Sequence, residues 1–321
     1  MEQVGIGFIG AGDVAYLHKV SLLQVPRARI IAVFDVDEVK SKTLARDVGA
    51  RVCRSADELV SLPEVQVVYV LTPEPAHHEN VLRSLQASKH TFIEKPVSFS
   101  RERILEWIEL SERKSCLCVP GHNYIHAPAL RSMKKLIASG RLGDIQTLWI
   151  LFMFSLPNEI RSRVPGPLRE VMIHHFYSML YLVGKPESVM ATSSDFTGRG
   201  LAQADQTLVV CKMPGGGLAT LFASFATDDL TNEPWTVLFK VLGSEGSASH
   251  NWGLNRLRHR PQPAWDLPAY FETFLEEDRY FINECVSGAQ EPLSTMHDAL
   301  LCLDIFSAAQ KSVETGAAQA P

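Results

Sequence analysis

The sequence is poor in the features that mark disulfide-rich, zinc-binding, nucleic-acid-binding, membrane-spanning or repeat proteins. Six cysteines are scattered through 321 residues with no CxxC pair, so neither a disulfide framework nor a zinc site is predicted, and no metal is expected. There is no excess of positive charge: 31 Lys+Arg stand against 36 Asp+Glu, a formal net charge of −5. There is also no dense basic run, the arginines of "RSRVPGPLR" being spaced apart, and this argues against nucleic acid or an anionic membrane as partner. No apolar run approaches the roughly 20 residues that a membrane helix needs. No charged, then apolar, then small-residue leader precedes "VGIGFIG", so a soluble, cytoplasmic protein is expected. Internal repeats are lacking as well, which excludes a solenoid.

What remains is a chain with 46% hydrophobic residues, long enough for two domains with separate cores. Up to about residue 120, short apolar runs ("VGIGFIG", "RIIAVFD", "VQVVYVL", "HTFIEKP", "CLCVPG") alternate with helical periods. That rhythm belongs to βαβ units around a parallel sheet. After "GHNYIHAP" it changes. A helix through "ALRSMKKLIASG" leads to longer strand-like runs, "IQTLWILFMF", "QTLVVCKM", "GLATLFASFA" and "WTVLFKVLGS", which suggest an antiparallel sheet. A helical stretch, "REVMIHHFYSMLYLVG", interrupts them, two further helices close the chain, and the final "AAQAP" is expected to fray. The predicted class is α/β: an N-terminal Rossmann domain over residues 1–121, then an α+β domain over residues 122–321.

A literal GxGxxG at Gly5, Gly7 and Gly10 has the wrong phase, because its first two glycines fall inside the strand. A dinucleotide fingerprint must sit where strand gives way to helix, so that glycines allow the tight turn and helix amides reach the pyrophosphate. Gly10, Gly12 and Ala15 of "GAGDVA" meet that requirement, with the amides of Asp13 and Val14 opening the helix. Twenty residues past Ala15, the next strand ends at Asp35, whose carboxylate suits the ribose hydroxyls and repels a 2′-phosphate. NAD is therefore expected, ahead of NADP.

Rossmann ligands lie beyond the carboxyl ends of the strands, where "LTPEPAHHE" and "IEKP" stand. Thr72 and Pro73 are expected to wall the nicotinamide. Lys95, confined between Glu94 and Pro96, presents an ammonium to a polar substrate group; the Lys95–Pro96 bond is a candidate cis peptide. Further on, helical spacing separates two adjacent histidines. His174 shares a largely polar face with Glu170, Val171, Tyr177, Ser178 and Tyr181, whereas His175 lies with the mostly apolar Val171, Met172, Met179 and Leu182, Ser178 being shared. His174 is the predicted proton acceptor and His175 a packed or contact residue.

Together "GFIGAGDVAYLH", "TPEPAHHENVLRSLQASKHTFIEKPVS", "PALRSMKKLIASGRLGDI" and the histidine helix followed by "LVGKP" resemble, in order and spacing, the Gfo/Idh/MocA oxidoreductases. The resemblance implies NAD(P)-dependent oxidation of a hydroxyl on a sugar, sugar derivative or cyclic polyol, and a C-terminal open sheet that forms homodimers or homotetramers. It implies a catalytic set of Lys95, His174 and Glu170, the last where the family carries aspartate. His77 matches a common family histidine and joins Glu94 and Lys95 in the expected cofactor site. Substrate contacts are expected from Lys95, His122, Tyr124, Arg161, Arg163 and His174, although Ile125 and His126 replace the arginine and aromatic frequent before the proline. For the arginines, surface or subunit contacts are the alternative. Lys95 as base, with His174 as a binding group, is the alternative assignment. Two other functions stay open: a retained-NAD epimerase or glycoside-cleaving enzyme, and a non-catalytic NAD-sensing regulator.

Overall fold

The alternating first part of the chain builds one parallel sheet from β1 (Val4–Ile9), β2 (Ala28–Phe34), β3 (Arg51–Val52), β4 (Val67–Val70), β5 (His90–Ile93) and β6 (Cys118–Pro120). These come from a computed structural model that describes residues 3–156, 164–196, 204–226, 236–252 and 268–321. The order is β3-β2-β1-β4-β5-β6, so the winding reverses beside β1, the place where a doubly wound sheet opens a crevice. Five helices form the crossovers: α1 (Asp13–Leu22), α2 (Glu38–Val48), α3 (Ala56–Ser61), α4 (His77–Gln86) and α5 (Arg101–Lys114). Most begin as their sequences dictate. Asp37 caps α2 by accepting the Val39 and Lys40 amides, and Ser55 and Ser100 do the same for α3 and α5. The two-residue β3 was not among the expected strands, being too short to show a period.

The second sheet has the order β12-β11-β7-β10-β9-β8. It consists of β7 (Ile145–Met153), β8 (Ser188–Ser194), β9 (Gln206–Lys212), β10 (Leu218–Ser224), β11 (Thr236–Gly243) and β12 (Ser247–Asn251). All pairs are antiparallel except β7 with β10. Register sorts its two faces. The row Phe239, Ile150, Leu221, Val209, Ala191 is buried, while the neighbouring row Lys240, Trp149, Thr220, Val210, Met190 is not. Three helices precede or interrupt it: α6 (Pro128–Ala138), α7 (Pro167–Glu170) and α8 (Met172–Val183). Two more, α9 (Pro268–Tyr280) and α10 (Met296–Thr315), close the chain.

The compact units do not follow a single cut at residue 121. One unit comprises Met1–His126 with Phe271–Leu300, the other Ala127–Tyr270 with Leu301–Pro321. The returning segment belongs to the first unit because Phe281, Ile282 and Cys285 fill the apolar cluster around Phe8, Tyr69 and Phe92. Burying side chains of this size is worth about 1.5–3 kcal/mol each, a gain no local pattern announces. Nor does the tail fray as expected: Gln319 pairs with Val189, exchanging amide and carbonyl hydrogen bonds at 2.8 Å in both directions. All six cysteines are free. Among the described residues, no helix is long and apolar enough to cross a membrane, and no cluster of His, Cys, Asp and Glu could hold a metal ion.

Candidate active site

Gly5 and Gly7 lie inside β1, and the fingerprint turn is Gly10 to Ala15. Gly10 has φ +105°, and a Cβ there would meet the Leu71 backbone at 2.7 Å, so only glycine permits the close passage of β1 by the end of β4. Gly12 faces the other way. It is the N-cap of α1, makes no side-chain cap, and a Cβ on it would meet nothing within 4 Å. The first turn of α1, which carries the Asp13 and Val14 amides, thus has no side-chain cap, as α4 has none, while α2 and α5 are closed by a side chain. This is the structural requirement for an anionic pyrophosphate at a helix N-terminus.

Asp35, just past β2, is tied down. Its Oδ2 accepts the Ala11 amide at 2.6 Å and its Oδ1 the Asp37 amide at 2.8 Å. The carboxylate therefore locks the fingerprint loop to the β2 end and keeps further lone pairs for ribose hydroxyls. Beyond β4, Thr72 Oγ1 is enclosed without a hydrogen-bond partner, beside the exposed Pro73. An orphaned hydroxyl at the carboxyl edge of the sheet fits a site that a dinucleotide completes.

His77, expected against the cofactor, is 1% exposed, and both its ring nitrogens face carbonyl oxygens: Nδ1 lies 2.9 Å from Val97 O and Nε2 2.7 Å from Thr72 O. It braces the loop after β4 against the loop after β5. Lys95 is half-buried at the end of β5, and the Lys95–Pro96 peptide is cis. The preceding Glu94 is 5% exposed and folds its Oε2 back to accept the Lys95 amide at 2.7 Å.

His122 and Tyr124 are enclosed rather than displayed, at 1% and 2% exposure. His122 Nδ1 engages Ser294 Oγ at 2.7 Å, and burial, with help from nearby His126, pushes the imidazole down to about 3. A neutral ring held by a residue of the returning segment is a different surrounding from the substrate-facing one expected. Arg161 and Arg163 lie outside the described residues.

In the second unit, the histidine helix differs from the expected single run. α7 ends at Glu170 and α8 begins at Met172, with the His174 amide bonded three residues back to Val171 O at 2.9 Å. This tight turn changes the angle between positions 170 and 174, so the simple four-residue relation does not describe them. Within α8 the hydrogen-bond partner of His174 Nδ1 is Tyr177 Oη, at 2.6 Å. His174 is itself 5% exposed, and the two rings meet edge to face at 5.5 Å. His175 is fully buried, neither ring nitrogen has a partner, and burial drives it down to about 3.

Sequence reading missed a third histidine. His18, on α1, is fully buried, with Nδ1 at 2.9 and 3.1 Å from the two oxygens of Asp278 and Nε2 3.2 Å from Glu94 Oε1. Tyr69 donates its hydroxyl to Asp278 Oδ1 at 3.0 Å. Asp278 stands 260 residues from His18 in the chain, so no spacing could have revealed the pair.

Comparison with known proteins agrees with this construction. The family model described as the Gfo/Idh/MocA oxidoreductase family, NAD-binding Rossmann fold, matches residues 4–122, and the Gfo/Idh/MocA C-terminal domain model matches residues 130–249. The chain belongs to the Gfo/Idh/MocA family. Among curated relatives of this Gfo/Idh/MocA protein, inositol 2-dehydrogenase of Rhizobium meliloti is 26% identical, with 97% of each chain covered. The same fold is found in scyllo-inositol dehydrogenase of Lactobacillus casei, with TM-score 0.88, 20% identity and coverage of 99% of this chain and 98% of that one. It is found again in GenD2 of gentamicin A biosynthesis, solved in complex with NAD, with TM-score 0.87, 21% identity and coverage of 100% and 97%.

Proposed function

We propose that this Gfo/Idh/MocA protein is an NAD-dependent oxidoreductase that oxidises a CH–OH group of a cyclic polyol, sugar or sugar derivative. The observation that carries this reading is the uncapped first turn of α1 beneath the open face of Gly12, with Asp35 clamped beside it and Thr72 Oγ1 unsatisfied. The likeness to an inositol 2-dehydrogenase over 97% of both chains supports the substrate class. The amides of Gly12, Asp13 and Val14 would hold the pyrophosphate, Asp35 the adenosine ribose, and Thr72 and Pro73 the nicotinamide side. The carboxylate of Asp35 disfavours a 2′-phosphate and so NADP. When bound, NAD accepts the hydride released from the carbinol carbon.

The remaining work falls to side chains. As hydride leaves, the hydroxyl proton must leave too, and His174 is the acceptor, the Tyr177 hydroxyl engaging Nδ1 and leaving Nε2 as the nitrogen that takes the proton. Lys95 donates a hydrogen bond to the developing alkoxide, an electrostatic contribution that grows where water is excluded. His77 acts through the two loops it braces, and Glu170, at the end of α7, through the turn that leads into the histidine helix. The partly covered outer face of the second sheet, with Trp149 39% and Met190 54% exposed, supports assembly of identical chains through that sheet.

The test is absorbance at 340 nm during a screen of inositols and sugars with NAD and with NADP. Lys95→Ala and His174→Ala should each lower kcat by about a hundredfold or more while calorimetric NAD affinity persists. Unchanged turnover in His174→Ala would overturn its assignment as base. Sedimentation of the wild type against Trp149→Lys tests the assembly.

A further inference from the structure

We propose that His18, a residue enclosed beneath the parallel sheet and unable to reach any ligand, is a positioning residue for Lys95, acting through the two oxygens of Glu94. This rests on the reading of Lys95 as the group that binds the substrate oxygen.

The connection is continuous. Asp278, from the segment that returns to the first unit, grips His18 Nδ1 with both carboxylate oxygens at 2.9 and 3.1 Å. His18 Nε2 then meets Glu94 Oε1 at 3.2 Å, and Glu94 Oε2 takes the Lys95 amide at 2.7 Å. Glu94 is thus held at one oxygen and holds at the other. Three aromatic rings enclose the imidazole: Tyr69, Phe92 and Phe274 lie at 5.3, 5.1 and 5.1 Å, all near edge-on. Both ring nitrogens face carboxyl oxygens, an arrangement that suits a doubly protonated ring. Burial by itself would lower the imidazole, but Asp278 first and Glu94 second more than reverse it, raising it to about 10.

Charge balance explains why Glu94 depends on this arrangement. Glu94 is 5% exposed and shares the interior with Asp278 and with Glu277, which is 1% exposed and whose carboxyl burial pushes well above the usual range. The carboxyl groups of Asp278, Glu94 and Glu277 and the Tyr69 hydroxyl thus crowd around one imidazole. Without the ring, Glu94 Oε1 loses that partner and the buried side chain is free to turn, which loosens its grip on the Lys95 amide. The lysine ammonium is then displaced at the carboxyl edge of β5, and displacement on the order of 1 Å costs about a hundredfold in rate in comparable positioning defects.

The experiment uses the full chain with NAD and the best substrate from the screen above. His18→Gln and Glu94→Gln are compared singly and together with Lys95→Ala and wild type, following kcat, KM, NAD affinity by calorimetry, and the pH profile of kcat/KM. Expected results are a fall in kcat of about ten- to a hundredfold in each single variant, NAD affinity within about threefold, and a displaced pH profile. The double variant should be no slower than the slower single one, because both break the same chain; independent losses would multiply and overturn the proposal. Wild-type kcat and pH profile in His18→Gln beside a dead Lys95→Ala would also overturn it. An active Lys95→Ala would instead overturn the reading of Lys95 on which it rests. Should His18→Gln fail to fold, 15N shifts of the wild-type ring decide: a doubly protonated imidazole at pH 8 is expected, and a singly protonated one refutes the arrangement.

Discussion

His18 and His175 are both fully buried and both sit on a helix packed inward against a sheet, yet their surroundings give them different charge states, one cationic and one neutral. His18 lies between two carboxylates and is held at about 10; His175 has no partner for either nitrogen and is pushed to about 3. Desolvation acts on both in the same direction. The difference is made by Asp278 and Glu94, and it shows that burial alone says little about an imidazole's state. One region of the protein keeps a buried cation within an ionic chain that ends at Lys95; the other keeps a neutral ring as packing material next to the histidine proposed to move protons.

The comparison is broken most severely by Asp278→Ala, which leaves the His18 cation in an apolar interior with one counter-charge removed. Unfolding in urea should show a loss of about 3–5 kcal/mol, as expected for removing one member of a buried pair. A loss below about 1 kcal/mol would mean that the pair contributes no net charge interaction.

Next in size is the response to pH. His18 titrates higher in the folded chain than its ordinary 6.5, so its contribution is complete below 6.5 and lost as pH rises towards about 10. Glu277, also raised by burial, works in the same sense on the alkaline side of its ordinary 4.5. His175 and His122 titrate lower, at about 3, so their effect is reversed: stability falls as pH drops from 6.5 towards 3, because the unfolded chain takes up protons that the folded chain refuses. Each such group contributes a slope of about 1.4 kcal/mol per pH unit in its window. Melts of wild type and Asp278→Asn between pH 7 and 10 should therefore differ in slope, with the flatter curve in the variant. A parallel pair of curves would remove His18 as the source.

The smallest effect is expected from His175→Leu. An imidazole with two unsatisfied buried nitrogens exchanged for an apolar side chain should leave stability unchanged or raise it by about 1 kcal/mol, and should flatten the acid limb in part, since His122 remains. Thermal melts check this; a clear loss would mean that the ring's packing outweighs its unsatisfied nitrogens.

Much of the fold is legible because it is encoded locally. Strands such as "VGIGFI" and "VVYV" are apolar throughout, as strands covered on both faces must be, and the Gly10, Gly12 and Asp35 pattern is confined to a strand, a turn, a helix and the next strand end. The missed elements fail for equally local reasons. β8 (SVMATSS) and β12 (SASHN) are polar outer strands of the second sheet, and neither carries the apolar run by which its partners were read. Helical spacing assigns His175 to packing, and it is fully buried, but His174 is buried too, and neither the break at Val171 nor the bond to Tyr177 is visible in a regular period. His77 and His122 show the same limit, since their partners are the Thr72 and Val97 carbonyls and a serine 172 residues away.

The sequence by itself thus determined the change from a parallel βαβ sheet to a second, mostly antiparallel one, the dinucleotide turn, and Lys95 and His174 as the candidate catalytic pair, because each depends on neighbours within a few turns or one crossover. Only the tertiary structure decided that residues 271–300 return to the first unit, that Asp278 and Glu94 share His18, and that His122 is sealed while Thr72 Oγ1 is left unsatisfied. The physical reason is that charge state and orientation in an interior are set by which groups are brought within about 3 Å, and burial that brings them there selects partners by shape and energy without regard to their distance along the chain.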